Sequence, residues 1–219
     1  MENHFNKEKH RDVWQKIWQR KNISSRIIDY GRSAYNGFFR RLLKKHLNKE
    51  TRLLELGCGT STLTISLANE IKSLVGLDIS PEALRLSREH SRELGAMNTE
   101  FIEGDCLNVP FENEFDIVWS QGLIEHFDNP ATVVEQHYRA LKPGGTVLIS
   151  VPYKWSYIMP WYLITRPKIF RSFWPWTDQI FFTKKDLLAI GKSITPHSKT
   201  YLLQPFLLGI VILEIKKFA

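Results

Sequence analysis

A chain of 219 residues, 43% hydrophobic and 24% charged, is long enough to bury a full core and is expected to form one domain with embellishments. The opening from Met1 to Arg11 is polar and charged, so no secretory signal is expected, and two cysteines, Cys58 and Cys106, resemble neither a metal cluster nor a disulfide framework, so a reducing cytoplasm is expected. The net charge of +7 is concentrated in residues 1–50, which hold 13 Lys/Arg against 5 Asp/Glu.

Two amphipathic helices are predicted to open the chain as a basic segment, residues 1–50, that caps the core. Val13, Trp14, Ile17 and Trp18 fall at helical spacing, as do Tyr35, Phe38, Phe39, Leu42, Leu43 and Leu47, with Arg40, Arg41, Lys44 and Lys45 between them. Such faces either pack on a core or rest on an anionic membrane surface, and the pattern is compatible with both.

The stretch Leu53 to Ser61 organises the rest of the chain. An apolar run of strand length, interrupted by Glu55, meets Gly57-Cys58-Gly59 and then the helix-capping types Thr60 and Ser61. Glycines at such a turn let a ligand approach the main chain, and the next helix offers unpaired N–H groups. Leu63, Leu67 and Ile71 predict a helix stripe. Ser73 to Ile79 reads as a second strand ending in Asp78, and Ser80 caps a helix that begins at Pro81 and stops at Gly95. Thr99 to Asp105 is a third strand ending in an acid, Phe115 to Gln121 a fourth, Ala131 to Leu141 a helix closed by Pro143-Gly144-Gly145, and Thr146 to Val151 a fifth strand. The alternation predicts a parallel sheet covered on both faces.

Residues 153–182 break the pattern, with 11 of the chain's 27 aromatic residues in 30 positions. A connection of that composition reads as a lid or substrate wall, or as an extension whose aromatics complete the core. Thr183 is expected to cap a helix to about Ser193. His197 to Gln204 and Phe206 to Lys216 read as two strands, and so short a link through Pro205 requires them to be antiparallel. The interruptions at Gln204, Pro205 and Gly209 also keep Tyr201 to Leu213 from being a spanning helix.

The glycine turn is not a dinucleotide fingerprint, because the third glycine is replaced by Thr62, and no Gly-Lys-Ser/Thr phosphate loop is present. Asp78 nevertheless ends the next strand, where an acid reaches ribose hydroxyls. These features predict a nucleoside site without a pyrophosphate.

Glu55-Leu56-Gly57-Cys58-Gly59-Thr60 resembles motif I of class I S-adenosylmethionine-dependent methyltransferases. Val75-Gly76-Leu77-Asp78-Ile79-Ser80, Gly104-Asp105-Cys106, Phe115 to Ser120 and Leu141-Lys142-Pro143-Gly144-Gly145 are similar to the family's later motifs in order and spacing. The resemblance covers about Thr51 to Val151. Leu123-Ile124-Glu125-His126-Phe127 is similar to a segment of the ubiquinone- and menaquinone-type members. It implies a Rossmann-like α/β fold, a mixed seven-stranded sheet with five parallel strands and a closing antiparallel hairpin, over residues 51–219. The cofactor implied is S-adenosyl-L-methionine. Glu55, Gly57, Cys58, Gly59 and Thr60 would lie by its methionine part, Asp78 on the ribose, Ile79 on adenine, Asp105 and Cys106 at the adenine edge, and Ser120 and Gln121 near the sulfonium.

Methyl transfer needs an aligned acceptor, a dry site and, where a proton leaves, a base, with no metal. His126, Glu125 and Tyr153, just beyond the ends of strands four and five, are the candidates. The signatures of nucleic-acid methylation are missing, since Ser120-Gln121-Gly122-Leu123 stands where base-amine methylases resemble Asp/Asn-Pro-Pro-Tyr, so nucleic acid is not expected. The expected substrate is a small apolar or aromatic molecule; the other hypothesis is a catalytically silent cofactor-binding module that acts through a protein partner. Oligomeric state is not encoded in these signals.

Overall fold

The computed structural model describes residues 7–19, 35–165, 179–203 and 209–218. Helix α1 is Lys7–Gln19, and residues 35–44 form α2. Then come β1 (Arg52–Leu56), the one-turn α3 (Thr62–Ile65), β2 (Ser73–Asp78), α4 (Pro81–Glu93), β3 (Thr99–Glu103), β4 (Phe115–Gln121), α5 (Pro130–Ala140), β5 (Leu141–Pro152), α6 (Ile158–Thr165), α7 (Lys184–Ile194), β6 (Ser198–Leu203) and β7 (Ile210–Lys216). The seven strands form one sheet in the order β3-β2-β1-β4-β5-β7-β6. The first five are mutually parallel, and β7 runs antiparallel to both β5 and β6. This is the mixed sheet with a closing hairpin that the sequence predicts.

Side-chain alternation along the strands separates two buried layers. Leu53, Ile117, Trp119, Leu148 and Ile212 pack with Phe39, Leu42 and Leu43 of α2, Leu63 of α3 and Leu84 of α4. Leu54, Val118, Val147, Ile149 and Leu213 face the other way and pack with Val133 and Val134 of α5 and Leu187 of α7. Each fully buried leucine of this kind contributes about 2 kcal/mol. The apolar face of α2 therefore covers the sheet.

Local chemistry sets the helix ends. Ser80 accepts from the Ala83 N–H ahead of Pro81, and Gly95, at φ +64°, follows the last turn of α4. Thr183 and Asp186 cap α7 reciprocally.

Three expectations need correction. Leu63, Leu67 and Ile71 are all buried, but on a broken element: Ser66 Oγ bonds back to Leu63 O at 2.6 Å, α3 stops, and a short 3₁₀ turn at Ala68–Glu70 takes over. Pro143-Gly144-Gly145 does not separate helix from strand; β5 begins at Leu141, and the glycines form a bulge between the pairs Phe115 to Leu141 and Ile117 to Thr146. The bulge is held by Gly144 N donating to Lys217 O at 2.7 Å, and a Cβ on Gly145 would lie 2.8 Å from Asp116 O. The closing strands also differ where they are described: His197 precedes β6 and Gly209 precedes β7, which pair Leu203 with Ile210. The predicted link through Pro205 lies outside the described residues, as do residues 166–178 of the aromatic insertion and residues 1–6 and 20–34 of the basic segment.

The two ends of the aromatic insertion meet at the carboxyl end of β5. Tyr153 bridges to Phe182, and Lys154 N donates to Phe182 O at 2.9 Å.

Candidate active site

The turn after β1 is built on left-handed backbone: Gly57 at φ +62°, Gly59 at +54° and Ser61 at +47°. The glycines adopt it freely, whereas Ser61 stores strain of about 1 kcal/mol, a feature that clusters at ligand sites. Close packing adds a second constraint, since a Cβ on Gly57 would stand 2.6 Å from a Leu123 methyl. Glu55 lies beneath the turn, buried, and its Oε2 accepts from Ser61 Oγ at 2.8 Å and Thr64 Oγ1 at 2.5 Å. The carboxylate thus ties β1 to α3. Thr60 is half-buried, with Oγ1 3.0 Å from Thr62 Oγ1. Cys58 N donates to Leu77 O at 3.1 Å, while burial pushes the Cys58 thiol well up and keeps it inert.

Asp78 at the end of β2 reaches across to this turn. Its Oδ2 accepts from Gly59 N at 2.8 Å and its Oδ1 from Ser80 N at 2.9 Å. Burial raises its pKa, and these backbone N–H donors act in the opposite sense. Each oxygen retains acceptor capacity for a hydroxyl. Ile79 beside it is half-buried. β3 stops at Glu103, so Asp105 does not end the strand as expected but lies half-buried in the loop beyond it, where its Oδ1 accepts from Leu107 N at 2.9 Å; Cys106 is buried with its thiol pKa raised by desolvation.

At the end of β4, Ser120 is fully buried and its Oγ lies 2.8 Å from His137 Nε2, while Gln121 is half-buried. Leu123 leads into a 3₁₀ turn, Ile124–His126, ahead of α5, which starts at Pro130. The turn points Glu125 inward. Its side chain is 3% exposed, Oε2 has no hydrogen-bond partner among the described residues, and burial pushes its pKa up to about 8. Its backbone carbonyl accepts from Ile180 N at 2.8 Å, so the far end of the aromatic insertion is attached to the same turn. His126 stands edge-on to Trp14, ring centroids 5.1 Å apart. Tyr153 is half-buried against the α5 and α7 layer, with its N–H donating to Gly209 O at 2.7 Å.

The structure therefore gathers the predicted residues at the carboxyl ends of β1, β2, β3, β4 and β5, which is where open α/β sheets bind ligands. Sequence reasoning missed the partners that hold them. Ser87 of α4 donates to Gly59 O at 2.8 Å, His137 holds Ser120, and α1 lies over the strand ends, with Gln15 Oε1 accepting from Ser80 Oγ at 2.9 Å. The amphipathic spacing of α1 showed a face in need of cover but not what it covers.

Residues 47–169 match a protein family described as a methyltransferase domain. Among curated relatives, the Ubiquinone biosynthesis O-methyltransferase of Ralstonia nicotianae is 36% identical over 100 residues, 45% of this chain and 42% of that protein. The Demethylmenaquinone methyltransferase of a Geobacillus species is 30% identical over 142 residues, 62% of this chain and 59% of the relative. The chain thus spans about half the length of the curated relatives it matches. Magnesium protoporphyrin IX methyltransferase of Synechocystis, solved with bound SAH, shares the fold at a TM-score of 0.67 and 16% identity, covering 95% of this chain and 94% of that one. The cyclase SpnF shares it too, at a TM-score of 0.65 and 18% identity over 83% of this chain and 81% of its own.

Proposed function

The chain belongs to the methyltransferase-domain family, and from that premise we propose that it moves a methyl group from S-adenosylmethionine to a small, apolar or aromatic acceptor of the quinone type. The observation that carries the reading is the pairing of Asp78 with the Gly57–Gly59 turn, a buried carboxylate with spare acceptor capacity beside a main-chain turn rich in glycine. That cradle fits a nucleoside carrying an amino-acid tail. Asp78 would take the ribose hydroxyls, Ile79 and Asp105 with Cys106 the base, and Gly57 to Thr60 the tail. Glu55 acts at one remove, through Ser61 and Thr64. Ser120 and Gln121 offer main-chain groups near the reacting end.

When bound, the donor supplies a methyl carbon already activated by a positive sulfur. The protein's tasks are to align the acceptor, exclude water and handle a departing proton. Glu125 fits the last task by position: it is buried just past the end of β4, and among the described residues Oε2 is unpartnered. With a pKa pushed up to about 8 it is a neutral acid at pH 7, able to donate to an acceptor oxygen, and becomes a base as pH rises. His126 and Tyr153 are the alternative bases on the same side.

The quinone-type substrate rests on the names of the relatives and on the aromatic wall. Exposed Trp155, Tyr157, Leu163 and Ile164 give that wall an apolar outer face, with Lys154 over the Trp155 ring at 5.6 Å. Such a face suits peripheral contact with a membrane from which an apolar acceptor is drawn. The basic N-terminal helices suit it less, because Arg11 pairs with Glu103, and Arg40 and Lys44 with Glu70. Among the described residues no helix is long and apolar enough to cross a membrane.

The test is transfer of label from methyl-labelled donor, with cell extract as acceptor source. Label in an organic-soluble product supports the proposal. Tight donor binding with no transfer into lipid, aqueous or protein fractions would favour the silent module instead. Leu163→Glu with Ile164→Glu should abolish binding to anionic vesicles if the outer face docks there; unchanged binding would return the contact to the basic helices.

A further inference from the structure

Helix α1 touches four different strand ends through four of its residues. Arg11 pairs with Glu103 at the end of β3, at 2.9 Å. Gln15 Oε1 accepts from Ser80 Oγ at 2.9 Å and from Glu82 N at 3.3 Å, at the junction of β2 and α4. Trp18 lies on the turn after β1, two of its ring atoms 2.7 and 3.0 Å from where a Cβ on Gly59 would be. Trp14 meets His126 after β4. The helix crosses the whole edge at which Gly59, Asp78, Ser80 and the Glu125–His126 turn converge. Each tie is of a weak class: a half-exposed ion pair, neutral hydrogen bonds and ring contacts. Among its described side chains, Lys16 stays exposed on the outer face.

We infer that α1 is the closing element of the donor site, with Gln15 and Trp18 as further donor-contacting residues, and that it must lift for the donor to enter and for its product to leave. The inference rests on the S-adenosylmethionine reading of the Asp78 and glycine-turn cradle. Gln15 sits within reach of the ribose-side Asp78–Ser80 corner, and Trp18 sets its aromatic ring against the glycine turn. Because Trp14 also covers His126, the same closure dries the acceptor side, so donor binding and acceptor shielding are linked through one helix. The linkage is reciprocal: a ligand held by closed α1 must itself hold α1 closed.

The test uses the full chain and S-adenosylhomocysteine as the probe, read by calorimetry and by trypsin cleavage after Lys16. Saturating probe should slow that cleavage at least roughly tenfold, and Trp18→Ala should weaken binding and speed dissociation by roughly tenfold. Gln15→Ala should do so by a smaller factor. Trp18→Phe, keeping a ring over the turn, should restore most of the affinity. Unaltered circular dichroism melting of the unliganded variants separates a lost contact from a lost fold. Probe that binds the wild type while cleavage after Lys16 and the Trp18→Ala affinity are unchanged overturns the inference and leaves the donor reading standing. Probe that does not bind the wild type at all overturns both.

Discussion

His137 Nε2 lies 2.8 Å from Ser120 Oγ, and both side chains are fully buried where α5 crosses the end of β4. His137 Nδ1 is 2.7 Å from Val133 O, a carbonyl that can only accept, so Nδ1 carries the proton and Nε2 accepts from the serine hydroxyl. The arrangement requires a neutral imidazole, and burial holds the His137 pKa down to about 4. A histidine whose native pKa lies below its unfolded value of roughly 6.5 contributes stability that is present above the unfolded pKa and lost as pH falls towards the native one. Urea unfolding between pH 7 and pH 4 should show a loss of roughly 3 kcal/mol from this group, at about 1.4 kcal/mol per pH unit. His137→Gln, which has no charged form, should flatten that slope; an unchanged slope would assign the acid sensitivity elsewhere.

Glu125 gives the opposite sign. Its pKa is pushed up to about 8 by burial, with Oε2 unpartnered among the described residues, so the folded protein prefers the protonated acid. Its contribution is complete below the unfolded pKa of roughly 4.3 and is lost as pH rises through 8, again at about 1.4 kcal/mol per unit. Glu125→Gln should match the wild type at about pH 4 and exceed it by a few kcal/mol at about pH 8.5. Thermal melts at the two pH values decide it, and a variant less stable at pH 8.5 would mean the carboxylate has found a charge-stabilising partner. If Glu125 also takes the acceptor's proton, the wild-type rate rises with pH towards 8, and the variant loses that rise along with most of its turnover.

The contrast between local and distant partners shows what a sequence can carry. The glycine turn, Asp78 and the Thr183 and Ser80 caps are legible because each is a local solution to a local problem: a left-handed backbone, a buried strand end, an orphaned N–H. The strand alternation is legible for the same reason. The Ser120–His137 bond spans 17 residues and the Gln15–Ser80 bond 65, and no periodicity within a window encodes such pairings. The inward turn of Glu125 is equally hidden, since it comes from the 3₁₀ path between β4 and α5. The Pro143-Gly144-Gly145 bulge looks like a helix stop because its glycines serve a contact contributed by Lys217, far along the chain.

Gly59 and Gly95 permit a clean comparison. Both are left-handed, at φ +54° and +64°, but a Cβ at Gly95 meets nothing within 4 Å, whereas one at Gly59 meets the Trp18 ring at 2.7 Å. Gly95→Ala should cost only the backbone term, about 1 kcal/mol. Gly59→Ala should cost that and also displace Trp18, exposing Lys16 to faster proteolysis. In a Trp18→Ala background the two substitutions should become alike in chemical denaturation. A persistent difference would show that Gly59 is constrained by something other than α1.

Asp78→Asn separates the structural work of the carboxylate from its ligand work. Oδ1 and Oδ2 accept from Ser80 N and Gly59 N at 2.9 and 2.8 Å, so an amide can satisfy only one of the two donors and turns its NH₂ towards the other. The loss is about 1–3 kcal/mol for the orphaned N–H, offset in part because burial already disfavours the charge, as its raised pKa shows. A modest fall in melting temperature should therefore accompany a large fall in S-adenosylhomocysteine affinity, since the ribose would lose a charged acceptor that bonds two hydroxyls. Calorimetry of binding beside calorimetry of unfolding measures both on one sample. Affinity retained within a factor of about two would remove Asp78 from the donor site and leave it as the brace that holds Gly59 against β2.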